Sequence, residues 1–153
     1  MKSSVLIFAL TASLQGFYFK KIKLLDTEYS MDIPGDWEVC EQNKESIKYC
    51  KDNFFPNLII IKNYTQRAQE LYNLGVNSQK LNKQVFGHAK VNDSYWLDES
   101  YTLPSGSKIR LFKLFRDISP KLTLEVTYNL LDQRFSSYVL KKYQASLKSI
   151  SKD

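Results

Sequence analysis

The stretch "KLTLEVTYNL", Lys121 to Leu130, constrains the fold more than any other part of the chain. Leu122, Leu124, Val126, Tyr128 and Leu130 alternate with Thr123, Glu125, Thr127 and Asn129. A period of two places the first set on one side of a strand and the second on the other. The apolar side needs a cover, and the next segment supplies one. Asp132 is a cap for a helix in which Phe135, Val139, Tyr143, Leu147 and Ile150 recur at spacings of four, four, four and three. Lys141, Lys142, Lys148 and Lys152 suit its solvent side and its C-terminal dipole.

The rest of the chain repeats this theme. In "YSMDIPGDWEV", Tyr29, Met31 and Ile33 alternate with polar residues before Pro34-Gly35-Asp36 turns the chain. "NLIIIKNY" reads as a strand buried on both faces, with four apolar residues from Leu58 to Ile61. Ala68, Leu71, Tyr72 and Val76 fall at helical spacing, with Thr65 as N-cap and Gly75 as an interruption. Three strands follow. The first carries Val85, Gly87, Ala89 and Val91 on one face. The second carries Tyr95, Leu97, Glu99, Tyr101 and Leu103, and the turn Pro104 to Ser107 joins it to a third running from Lys108 through Arg116.

Both cysteines lie in "WEVCEQNKESIKYCKD". Two short alternating runs flank a polar turn at Asn43 to Ser46, a hairpin pattern. Centred near Glu45, it sets Cys40 opposite Cys50, with Cα atoms about 4.5 Å apart, within disulfide reach. The sequence has one histidine, His88, and no second cysteine pair, so a zinc site is not expected. A close Cys-x-x-Cys redox motif is also missing. In an oxidising compartment the pair is read as a disulfide between Cys40 and Cys50; in a reducing one it would be two half-buried thiols.

Residues 1–16 read as a signal peptide: Lys2, then an apolar run from Val5 to Leu14 that is short for a membrane span. Alternatives are an N-terminal core strand or an uncleaved anchor ending at Lys20-Lys21. Residues 17–153 then form one domain, in a periplasmic or secreted protein. The chain of 153 residues is 43% hydrophobic and 14% aromatic, enough for a core. Its net charge of +6 (22 basic minus 16 acidic) is scattered singly among acids, a solvated surface rather than a nucleic-acid stripe. Contact with an acidic partner or an anionic membrane surface is compatible with it.

The order of these patterns resembles the PsbP/DcrB-like fold. "YSMDIPGDWEV", "NLIIIKNY" before a helix, the central meander, and "LTLEVTYNLLDQRFSSYVLKKYQASLKSI" carry the resemblance over nearly all of the chain after the leader. It implies an α+β fold: a mostly antiparallel central sheet packed by helices in an α/β/α sandwich. Members include photosystem-associated lumenal proteins, a Ran-binding factor, envelope proteins, and chaperone or immunity-like partners of secreted toxins. The resemblance therefore implies protein binding rather than catalysis, and carries no active-site residues.

Motifs for catalysis are missing too. His88 sits at a strand position facing away from Gly87 and Ala89. The sequence has no Gly-x-Ser-x-Gly, phosphate-binding glycine loop or His-Glu-x-x-His. Asp98 and Glu99 are adjacent on a strand and point apart. No catalytic residue, cofactor or metal is expected. Candidate partner-binding residues are Phe54 and Phe55 beside Pro56, and Tyr95 and Trp96 on opposite faces of a strand. Two function classes follow. One is a periplasmic protein-binding module, an immunity or chaperone-like partner of a secreted toxin or envelope protein. The other is an envelope small-molecule or lipid binder with an apolar cavity between helix and sheet.

Overall fold

The computed structural model describes residues 18–51, 58–79, 82–91, 93–131 and 137–153. Among them the chain runs β1 (Phe19–Lys23), β2 (Tyr29–Pro34), β3 (Trp37–Gln42), β4 (Ser46–Lys51), β5 (Leu58–Tyr64) and α1 (Ala68–Asn77). It continues through β6 (Lys83–Val91), β7 (Ser94–Thr102), β8 (Lys108–Ser119), β9 (Leu122–Leu131), α2 (Ser137–Lys148) and β10 (Ser151–Lys152). The leader, Phe54, Phe55, Asp132 and Phe135 lie outside the described residues.

Seven strands form one sheet in the order β3-β4-β5-β9-β8-β7-β6, with every neighbour antiparallel. The β6–β7–β8 meander returns β9 to the side of β5. A second, three-stranded sheet, β1-β2-β10, packs with α2 over one face. Helix α1 packs on the other face against β7 and β8. This is the expected α+β sandwich, with α2 and a small sheet making up one outer layer.

The alternation of β9 decides where the core sits. Leu124, Val126, Tyr128 and Leu130 face α2, alongside Ile59 and Ile61 of β5 and Phe112 and Leu114 of β8. Met31, Ile33, Trp37, Leu147 and Ile150 close over them. Each buried aliphatic side chain here contributes roughly 1.5–3 kcal/mol. Trp37 meets the rings of Tyr128 and Tyr143 edge-on, at 5.9 and 6.0 Å between centroids. Burial pushes the Tyr143 hydroxyl up to about 12. Ser146 contacts both the Tyr128 hydroxyl and the Asp32 carbonyl, tying helix, main sheet and small sheet together.

The structure changes four local readings. First, β5 is buried on one face only: Ile59 and Ile61 are sealed, whereas Ile60 is half-buried. The main contacts of α1, on the other side of the sheet, are with β7 and β8. Second, Thr65 does not cap α1. The N-cap is Arg67, without a side-chain cap of its own. Asp117 of β8 supplies the acceptor, taking the Ala68 N–H at 2.9 Å and pairing with Arg67 at 2.8 Å. Third, Cys40 does not stand directly opposite Cys50. A bulge between Val39 and Glu41 pairs Cys50 with Glu38. The two cysteines are nevertheless disulfide-bonded, with Cα atoms 5.8 Å apart. Fourth, a bulge between Val85 and Gly87 splits the expected face of β6. Val85 packs under α1, while Gly87, Ala89 and Val91 pair with Asp98, Trp96 and Ser94 and so turn to the α2 side.

Candidate functional site

That fourth change makes a groove. Helix α2 leans on β2 and the middle of the sheet. On the same face, β6 presents the small residues Gly87 and Ala89 with Val91 beyond them, and the outer end of β7 presents Ser94. Trp96, Phe112 and Leu114 form the floor, and Gln144, Leu147 and Lys148 the wall; the groove holds about 590 Å³.

Its two ends differ in charge. At one end Asp98 accepts two hydrogen bonds from Arg110, at 2.6 and 2.8 Å. The same guanidinium lies 3.6 Å above the ring of Phe86, the side chain at the bulge. At the other end Arg116 donates to the Ile150 carbonyl at 2.9 Å, and Lys148 stands on the same rim. Among the described residues no carboxylate lies within ion-pair distance of Arg116.

The opposite face holds a buried charge cluster instead. Glu99 lies between Lys83 and Lys113, at 2.9 Å from each, and accepts from the Tyr101 hydroxyl at 3.2 Å. The Lys83 ammonium also contacts the Gly75 carbonyl of α1. Burial works against ionising Glu99, but the two lysines outweigh it and hold the carboxyl below the usual range. Asp117 behaves alike: burial opposes its charge, and Thr123, the Ala68 N–H and Arg67 prevail. Beside this cluster, Tyr72 sits 2.6 Å from His88 Nδ1 and packs its ring on Tyr95 at 5.1 Å.

Tyr95 and Trp96 therefore occupy opposite faces, as their alternation requires. Tyr95 is half-buried under α1, and Trp96 is half-buried in the groove. The fold does not bring them together. Asp98 and Glu99 point apart as well. His88 has a tyrosine beside it and, among the described residues, no carboxylate within ion-pair distance. No local sequence pattern marks Arg116, Asp98 and Phe112 as groove residues. The available signal was the run of small side chains Gly87-x-Ala89.

The layered architecture defines a PsbP/DcrB-like fold. Solved structures carry the same arrangement. The solution structure of cyanobacterial PsbP (CyanoP) from Synechocystis sp. PCC 6803 aligns with TM-score 0.65 at 7% identity, over 90% of this chain and 94% of that one. LpqN, involved in cell envelope biogenesis of Mycobacterium tuberculosis, aligns with TM-score 0.52 at 12% identity, over 88% and 90%. A crystal structure from Bacteroides thetaiotaomicron VPI-5482 aligns with TM-score 0.56 at 12% identity over 88% of this chain, which spans 48% of that protein. No protein-family model and no curated protein matches the sequence. No helix among the described residues is long and apolar enough to cross a membrane.

Proposed function

We propose that this chain is a non-catalytic exported protein that binds another protein, and that the β6 edge carries the contact. The observation behind this reading is the asymmetry of the two sheet edges. Strand β3 is blunted: it has a bulge, carries Glu38 and Glu41, and is tied to β4 by the disulfide. Such devices discourage strand addition. Strand β6 is nine residues long and pairs only with β7 among the described residues. After its bulge, Gly87 to Val91 run regularly, and among the described residues no strand pairs with their outer edge. Exposed large apolar side chains include Phe86 and Val91 on β6, Leu103 after β7 and Leu74 on α1, whereas β3 exposes one, Val39. An extended partner segment can add a strand at the β6 edge, taking affinity from backbone hydrogen bonds and specificity from alternate side chains.

The disulfide and the apolar run from Val5 to Leu14 support export. An immunity or chaperone-like role toward a secreted toxin or envelope protein fits this surface. The test is co-purification from the envelope of the native host. Val91→Lys on β6 should release the partner, while Glu38→Lys on β3 should retain it. A partner that survives the β6 change and dissociates with the β3 change would sink the assignment.

A further inference from the structure

We infer that the groove beneath α2 binds a single-chain anionic amphiphile, its tail along Trp96, Leu114 and Phe112 and its acidic head on Arg116. This goes beyond the edge-strand reading, because Arg116 and Trp96 lie inside the groove on β8 and β7.

Size is the first support. A volume of about 590 Å³ falls within the roughly 300–1,000 Å³ of small-molecule sites. Shape is the second. Along the strands, Ser94 pairs with Arg116 at one end, Trp96 with Leu114 in the middle, and Asp98 with Phe112 at the other end. Ser94 to Asp98 spans about 13 Å at roughly 3.3 Å per residue. The site is therefore a slot, with Gly87 and Ala89 leaving room above an aromatic floor. A flat, polar ligand would find few donors along it, whereas an alkyl chain fits its lining.

Charge is the third support, and it sets the orientation. Asp98 is neutralised by its two-pronged contact with Arg110, so that end neither attracts nor repels an ion strongly. Arg116 is different. It is half-buried, donates to the neutral carbonyl of Ile150, and among the described residues has no carboxylate within ion-pair distance. A guanidinium in an apolar slot is costly to desolvate unless an anion meets it. Its planar fork suits a carboxylate or phosphate, and Lys148 on the same rim adds positive charge.

Isothermal titration of the purified protein at pH 8 tests this with dodecanoate, dodecanol and dodecyltrimethylammonium, each below its aggregation threshold. Dodecanoate should bind saturably, at one per chain, about tenfold or more tighter than the other two, as expected for a hydrogen bond to a charged group. Arg116→Gln should erase that preference and leave weak, headgroup-blind binding. Ala89→Phe, at an exposed position, should fill the slot and abolish binding of all three. Thermal melts establish that both variants are folded. The inference is overturned if folded wild-type protein shows no saturable dodecanoate binding, if dodecanol binds equally well, or if dodecanoate affinity ignores both substitutions.

Discussion

Replacing Glu99 by glutamine removes one negative charge and almost no volume, yet it should be among the most damaging single changes in the chain. Glu99 is 0% exposed and the Lys83 side chain 2% exposed, while Lys113 is 20% exposed. After the change Lys113 can turn toward water, but Lys83 is held under α1 with its charge uncompensated. Breaking a buried pair from one side typically costs about 3–5 kcal/mol. That is a large share of the roughly 5–15 kcal/mol that holds a domain together. In urea, with a mid-range slope of about 2 kcal/mol per molar, the midpoint should fall by roughly 1.5–2.5 M. Tryptophan fluorescence, from Trp37 and Trp96, and far-ultraviolet circular dichroism should follow the same transition. The double variant Lys83→Met, Glu99→Gln should recover at least half of the loss, because the stranded charge goes with it. The pH dependence follows from the depressed carboxyl. A group whose folded pKa lies below its unfolded value, about 4.3 for glutamate, adds stability that is present above that value. The contribution is lost as pH falls through the folded pKa. Wild-type stability should therefore fall on acidification below about pH 4.3, and Glu99→Gln should remove part of that slope. A loss under about 1 kcal/mol for Glu99→Gln, or a double variant no better than the single, would refute the view that this cluster is sealed from water.

Two further changes probe the scaffold. Reducing the disulfide, or Cys40→Ser with Cys50→Ser, opens a short loop and should cost roughly 2–3 kcal/mol; a melting temperature unmoved by reductant would mean that the bulged hairpin holds itself. Asp117→Ala strips α1 of the acceptor for the Ala68 N–H and of its Arg67 partner, and should cost about 1–2 kcal/mol. Hydrogen exchange checks it locally: amides of α1 should lose protection before those of β9, and uniform loss across both would contradict a capping role.

What was legible in the sequence is what alternation alone determines. β9 could be read residue by residue, because both of its neighbours are in register along almost its whole length. The apolar stripe of α1 was visible for the same reason, since Leu71, Tyr72 and Val76 need only one surface to pack on. The cap of that helix was not visible, because Asp117 lies forty-nine positions away and becomes a neighbour only when β8 is in place. The bulges at Cys40 and Phe86 were hidden as well. Each inserts a single residue, and no local composition demanded it. At Cys40 the cost was a register, since the cysteines still meet. At Phe86 it was the whole groove. A strict period of two keeps Val85, Gly87, Ala89 and Val91 on one face, which closes no slot and leaves Arg116 as an ordinary strand residue. Once the phase shifts, Val85 goes beneath α1, and the small side chains beyond it open space beside Trp96, next to a guanidinium with no carboxylate partner among the described residues. The candidate site thus lies where the most reliable sequence rule in this chain breaks, and long-range strand pairing, rather than any motif, assembles it.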